Sequence, residues 1–401
     1  MNASDQILLS GRTVTPAGIV DDGVVISQGD RILFVGRAAD LPVEHIAARR
    51  PQGWSRGRTL LPGLVDGHCH GGAGGEFGAD LESARTAAHH HHRNGTTSLL
   101  GSLVSNTPDE LTAGVTTCAA LVAGGELAGL HLEGPFLSNE RRGAQNPAVL
   151  TDVDVSLVES LVQAAADAGA DGAVTQMTYA PERRGGATLP TLLAGLGILP
   201  ALGHTDTDAD TAWESLRQGR EVAPRGGRPL VTHVFNGMPP LHHRSPGPVS
   251  ACLAQAARGD AVLEVIGDGV HLAAGTVRML FDLVGPDGLS LITDSMAASG
   301  MPDGSYTLGG QDVVVADRTA RLADGGSIAG GVATLLDVLL WCVTEAGIPL
   351  VDAVTAASRT PARALGLDDV GALEVGRLAD VLVVDDQLAL QGVLRRGQWV
   401  G

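Results

Sequence analysis

The sequence predicts an α/β protein: a (β/α)8 TIM barrel carrying a small β-sandwich domain built from both chain ends. Three observations carry that prediction. Eight short apolar runs each end in a polar residue or a glycine-rich turn. Amphipathic, alanine-rich segments lie between most of them, and the two ends of the chain carry short strands and Gly/Asp turns without helices. Eight strand–helix units over roughly 250 residues meet the requirement of a closed parallel barrel.

The elements follow in order. Residues 6–37, "QILLSGRTVTPAGIVDDGVVISQGDRILFVGR", and 371–399, "GALEVGRLADVLVVDDQLALQGVLRRGQW", are each too short to close a core alone. Barrel termini can lie close together, so the two ends are expected to pair in one domain that the barrel interrupts. The expected division is 1–60 for the first part of that domain, 61–366 for the barrel and 367–401 for the second part. Barrel strands are expected within Leu61–His70, Thr97–Val104, Leu127–Glu133, Gly172–Ala180, Leu199–Thr205, Leu230–Asn236, Ala261–Asp268 and Leu289–Asp294. The spacing predicts helices over 154–169 and 208–219, and 351–367 reads as the last barrel helix. The run "HHHH" at 89–92 occupies consecutive positions of a predicted helix, and is expected to face solvent.

Composition narrows the function. The chain has 401 residues, 44% of them hydrophobic, enough for a large core. No uninterrupted apolar run reaches the ~18 residues of a membrane span, and the first residues lack a basic segment followed by an apolar stretch. Neither export nor membrane insertion is expected. Cys69, Cys118, Cys252 and Cys342 are scattered and form no C-x-x-C pair, which argues against a disulfide framework and fits a reducing cytoplasm. A net charge of −18 argues against nucleic acid or an acidic membrane as partner, since both would be repelled, so an anionic substrate needs a local basic pocket. All 27 basic residues are arginine, which removes Schiff-base chemistry, a P-loop lysine and a carbamylated-lysine metal bridge.

In "LPGLVDGHCHGG" (61–72) an extended backbone puts His68 and His70 on one face and Cys69 on the other. In a barrel, the C-terminal ends of the strands share one mouth. His68, His70, Glu133, His204, His233 and Asp294 all stand at such ends. Singly, each has a plain alternative: a solvated glutamate, a structural histidine, an aspartate capping the next helix. Together, one carboxylate and two neutral imidazoles at Glu133, His204 and His233, with a fourth position open to water, have the composition of a catalytic zinc-type site. His68 and His70 could then hold a second ion, with Glu133 bridging both. Asp294 would serve as the general base toward water and then as the acid toward a leaving nitrogen.

The motifs "PGLVDGHCHGG", "HLEGPFL…RRGAQNP", "LGHTD", "THVFNGMPPLHHRSPG", "GDGVHL" and "TDSM", in this order and spacing, resemble the N-acetylglucosamine-6-phosphate deacetylases of the amidohydrolase superfamily. The resemblance covers nearly the whole chain. It implies metal-dependent removal of the acetyl group from an amino-sugar 6-phosphate, releasing acetate and the free amine. It further implies that Glu133, His204 and His233 form the tighter metal site, that Asp294 is the acid/base, and that the retained His68 and His70 allow two ions rather than one. Asn236, Gly237 and Arg244 are implied as phosphate contacts and His271 as a sugar contact; the planar fork of arginine suits phosphate oxygens. His242 and His243 beside Arg244 either join them or only line a loop. A homodimer is implied, with the phosphate pocket completed by a neighbouring subunit.

Two positions depart from the family pattern. Gln145 stands where a histidine thought to polarise the substrate carbonyl is frequent; its amide can still donate a neutral hydrogen bond there. Gly237 stands where alanine is usual, a difference of one methyl. The metal is expected to be zinc, though His and Glu ligands also accept iron, manganese or cobalt. Deacetylation of N-acetylgalactosamine 6-phosphate, or hydrolysis of another small amide, is the rival chemistry. A barrel kept only as a binding scaffold is the rival class, and it would be expected to have lost ligands that this chain retains.

Overall fold

The computed structural model describes residues 6–45, 48, 57–224 and 227–401. Eight parallel strands run in chain order around a barrel: β1 (Leu64–Asp66), β2 (Thr96–Val104), β3 (Gly129–Glu133), β4 (Val174–Tyr179), β5 (Leu199–Leu202), β6 (Leu230–Val231), β7 (Val262–Val265) and β8 (Leu289–Leu291). β2 begins one residue ahead of the expected Thr97; the other seven lie inside the runs read from the sequence. The β1/β8 seam closes just beyond the strand ends. There Thr293 Oγ1 donates to Asp66 Oδ2 at 2.7 Å, Asp294 N to the His68 carbonyl at 2.9 Å and His70 N to the Ser295 carbonyl at 2.8 Å. The barrel is thus closed by the segments that carry the candidate site.

A helix follows each strand: α1 (Leu81–Arg93), α2 (Pro108–Ala123), α3 (Val155–Asp167), α4 (Leu189–Gly195), α5 (Ala209–Val222), α6 (Gly247–Ala257), α7 (Ala274–Val284) and α8 (Leu335–Thr344). Their starts are written locally. Asp80, Asp154 and Asp208 accept hydrogen bonds from first-turn backbone N–H groups, and Thr334 forms a reciprocal capping box with Asp337. Each such cap contributes about 0.5–2 kcal/mol.

The single helix expected over 351–367 is two, α9 (Leu350–Ala357) and α10 (Arg359–Ala364), broken at Ser358. Pro361 is the reason: in one continuous helix its ring would press on the Ala357 carbonyl and leave that oxygen without an N–H. The expectation that the histidine run faces solvent is corrected too. His91 and His92 are buried, because four consecutive helical positions sweep about 300° and some must turn inward. His91 Nε2 lies 2.9 Å from the Gly71 carbonyl, and His92 approaches those of Thr96 and Glu126 at 2.8 and 2.9 Å.

Both chain ends meet in a separate seven-stranded sheet. Its strand Arg58–Pro62 runs parallel to Gln6–Thr15 on one side and antiparallel to Val381–Asp385 on the other. Leu9, Val25, Ile32, Leu60, Val381, Val383 and Leu394 share one apolar cluster, so residues from both ends build a common core. Leu61, Leu382 and Val384 point the other way and join the main cluster of the barrel, which fixes the sheet to it. A three-stranded antiparallel sheet, Gly304–Leu308, Gln311–Ala316 and Thr319–Leu322, interrupts the chain between β8 and α8 and was not foreseen. Among the described residues, no helix is long and apolar enough to cross a membrane.

Candidate active site

The chain turns out of the barrel at His204, His233 and Asp294 with φ of +45°, +27° and +48°. Left-handed backbone at a non-glycine residue costs about 1–3 kcal/mol and persists only where neighbours over-determine it. Here they do. The carbonyls of His204, His233 and Asp294 accept from the backbone N–H of Ser138, Asn236 and Gly331 at 2.9, 2.9 and 2.6 Å. Gly237 sits against the first of these turns. A Cβ there would stand 2.8 Å from His204 Nδ1, so the one-methyl departure noted in the sequence touches the site directly.

The side chains converge. Glu133 Oε1 lies 3.1 Å from His204 Nε2 and 3.0 Å from His233 Nε2, and those two nitrogens are 3.1 Å apart. On the other side, His68 Nε2 and His70 Nε2 are 3.1 Å apart, and Asp294 Oδ1 is 3.3 and 3.2 Å from them. Glu133 faces both groups, with Oε1 3.5 Å from His68 Nε2 and Oε2 3.3 Å from His70 Nε2.

Ligands about 2.1 Å from an ion at tetrahedral angles lie about 3.4 Å from each other, so these spacings fit metal ligation. The outer ring nitrogens support it. His204 Nδ1 meets the Arg141 carbonyl at 2.8 Å, His70 Nδ1 the Ser102 carbonyl at 3.1 Å and His68 Nδ1 the Glu264 carboxylate at 3.1 Å. An acceptor at Nδ1 holds the proton there and leaves the Nε2 lone pair free for a cation. His233 Nδ1 is buried without a hydrogen-bond partner.

Such crowding perturbs every charge. Burial pushes Glu133 upward, but His68 and His204 outweigh it and hold the carboxyl well below its usual range. Burial likewise opposes ionisation of Asp294, and His68 and His70 overcome it. Burial disfavours the imidazolium forms of His68, His70 and His204; the facing carboxylates prevail and raise all three. The centre demands positive charge, which protons or a divalent cation can meet.

A cavity of about 280 Å³ opens above these groups, lined by His70, Glu133, His204, His233 and Asp294, and also by Gln145, Asn236, Gly237 and His271. His68 lies beneath its wall, fully buried. Gln145 is committed on both sides: its carbonyl accepts from Ser105 N at 2.9 Å, and one of its two N–H bonds goes to Glu133 Oε2 at 2.5 Å. His271 Nδ1 is held by Asp268 Oδ2 at 2.8 Å. Arg244 is not brought to this wall; it is exposed and pairs with His243 Nε2 at 2.8 Å. Ser327, Ile328 and Gly330, which follow the unforeseen sheet, close the remaining side.

Sequence reasoning missed the polar floor under the mouth. His131 stacks edge-on against His68 with ring centroids 4.4 Å apart, and its nitrogens meet Ser102 Oγ at 3.0 Å and Thr178 Oγ1 at 2.8 Å. Glu264 and Gln176 complete this layer, joined at 2.7 Å. The alternation in "GLHLE" carried a signal, since it puts His131 on the same strand face as Glu133. Behind β1, Cys69 turns away from the site as expected, and its sulfur lies 3.2 Å from His91 Nε2.

A family model described as "Amidohydrolase family" matches residues 59–400. An N-acetylglucosamine-6-phosphate deacetylase from Lysinibacillus sphaericus is 33% identical over 348 residues, covering 85% of this chain and 85% of that protein. The human protein of the same name is 32% identical over 355 residues, covering 86% of this chain and 84% of its own. Among solved structures, a mutant N-acetyl-D-glucosamine-6-phosphate deacetylase from Mycobacterium smegmatis, in complex with N-acetyl-D-glucosamine-6-phosphate, superposes with a TM-score of 0.90. It is 35% identical, with 99% of this chain and 100% of that one covered. With this agreement of fold, sequence and clustered donors, the chain belongs to the amidohydrolase family, among the N-acetylglucosamine-6-phosphate deacetylases.

Proposed function

We propose that this chain hydrolyses the acetamide of N-acetylglucosamine 6-phosphate, giving glucosamine 6-phosphate and acetate. The observation that carries the reading is the convergence of Glu133, His204 and His233, with His68, His70 and Asp294 beside them, at the floor of one cavity in a chain of this family. Glu133, His204 and His233 would hold one divalent cation and His68 and His70 a second; such an ion, when bound, would supply Lewis acidity toward the amide carbonyl and lower the pKa of its bound water to about 7. Zinc is our first choice of metal, with iron, manganese and cobalt as alternatives.

Asp294 moves the proton. Its carboxylate takes one from the water whose oxygen adds to the acetyl carbon, then delivers it to the sugar nitrogen as the C–N bond breaks. Gln145 steadies Glu133 through one N–H and keeps the other for the oxygen that gains charge. His271, oriented by Asp268, contacts the sugar, while Asn236 and Gly237 hold the phosphate end.

Arg244, with His242 and His243, stands outside the cavity of its own subunit, which supports a homodimer in which these residues complete a neighbour's phosphate pocket. Four buried free cysteines accord with the cytoplasm. The test is acetate release from purified, metal-loaded protein given the 6-phosphates of N-acetylglucosamine and N-acetylgalactosamine. Faster turnover of the first is expected; equal turnover removes the epimer preference, and no acetate from either removes the function.

A further inference from the structure

β7 carries an ionisable residue in the middle of an apolar run, Val262-Leu-Glu-Val265, and Glu264 is buried in the barrel interior. Its carboxylate is fully occupied. Oε1 accepts from Gln176 Nε2 at 2.7 Å, Oε2 lies 3.1 Å from His68 Nδ1, and the backbone N–H of His233 reaches Oε2 at 3.4 Å. A carboxylate taken out of water without compensation costs several kcal/mol, so it survives only beside groups that satisfy it. Among the described residues, the partner of potential positive charge within reach is the His68 imidazole.

The arrangement acts on one side of the metal centre. With a proton held at Nδ1 by Glu264, the neutral imidazole of His68 turns its Nε2 lone pair toward the space it shares with Glu133, His70 and Asp294. His204 takes its orientation from the Arg141 carbonyl and His70 from the Ser102 carbonyl, neither of which involves Glu264; toward the tighter site Glu264 reaches only the backbone N–H of His233, at 3.4 Å, and not its ring. We propose that Glu264, braced by Gln176, is a positioning residue that governs retention of the second cation: it makes His68 a ligand, while the ion at Glu133, His204 and His233 is held by three side chains that Glu264 does not touch. The inference rests on the two-ion reading given above.

The test counts ions. Metal-free protein is titrated with Zn²⁺ calorimetrically, and zinc content is measured after dialysis against buffered free metal. The wild type should hold two ions. Glu264→Gln, which keeps the shape and removes the charge, should keep the tighter ion and weaken the second roughly 10- to 100-fold. Gln176→Leu, which leaves the charge but frees Glu264 to turn, should weaken the same ion by less, and it provides a second reading if Glu264→Gln does not fold. In a His68→Asn background, Glu264→Gln should change neither affinity. The proposal is overturned if the wild type holds one ion, if both ions weaken alike, if neither does, or if the loss persists without His68. Acetate release by the loaded wild type is measured in parallel, so that failure of the deacetylase reading is seen separately from failure of the role given to Glu264.

Discussion

Replacing Asp294 by asparagine separates proton transfer from everything else the residue does. Asn has nearly the same shape and, like Asp, tolerates the left-handed backbone that Asp294 adopts at φ +48°, so the turn and its hydrogen bonds to His68 and Gly331 should persist. The proposed tighter ion would depend on Glu133, His204 and His233, which the change leaves untouched. What disappears is the only carboxylate besides Glu133 within 3.5 Å of His68 and His70 Nε2 among the described residues. General acid–base catalysis contributes about 10²- to 10⁴-fold, and each factor of ten is about 1.4 kcal/mol of barrier, so turnover should fall by at least about a hundredfold, or roughly 3–5 kcal/mol. The measurements are acetate release, metal content and thermal unfolding on the same preparation. Turnover within a few-fold of wild type, at full metal content, would refute the reasoning, because another group would then be moving the proton.

Other outcomes follow from the same geometry. Arg244→Ala should raise KM for the phosphorylated sugar and leave an unphosphorylated analogue almost unaffected; equal losses on both would remove Arg244 from phosphate binding. The gain in Tm on adding Zn²⁺ should grow as pH rises from 5.5 to 8. Raised His68, His70 and His204 stabilise the metal-free protein fully below their ordinary value of 6.5 and lose that contribution as pH climbs through the raised values, whereas a bound cation needs them neutral. A gain that is flat or shrinking over that range would show that these imidazoles are not ligands. Burial pushes the thiols of Cys69, Cys118, Cys252 and Cys342 up to about 12, so a thiol reagent should label none of them in the native protein and all four in denaturant. Rapid native labelling at any of the four would contradict the packing around it.

How much was legible depended on whether a residue's role is set locally. His68, His70, Glu133, His204, His233 and Asp294 stand where an apolar run stops, and in a parallel barrel that position alone brings side chains from distant segments to one rim. Glu264 and Gln176 gave no such signal. They sit inside strands, and the contacts that give them meaning join residues 196 and 88 positions apart. The inward turn of His91 and His92 depends on which side of α1 meets the barrel, which the run of four identical residues cannot specify. The sheet at 304–322 left a weak trace, with Val313 and Val315 buried between exposed neighbours. Arg244 was expected at the phosphate, but in this chain it is exposed and does not line the cavity, since the path of the loop after β6 is not set by any local pattern.

The meeting of both chain ends in one sheet bears on how the protein is made. Strand Arg58–Pro62 emerges from the ribosome early, yet the strand that flanks it on one side, Val381–Asp385, is translated more than three hundred residues later. Until then Leu60 and Leu61, which face Val383 and Leu382 in the finished molecule, lack those neighbours. A nascent chain halted before residue 381 can complete every barrel strand while leaving this edge open to proteases and chaperones, so resistance to digestion at this edge should appear only late in translation.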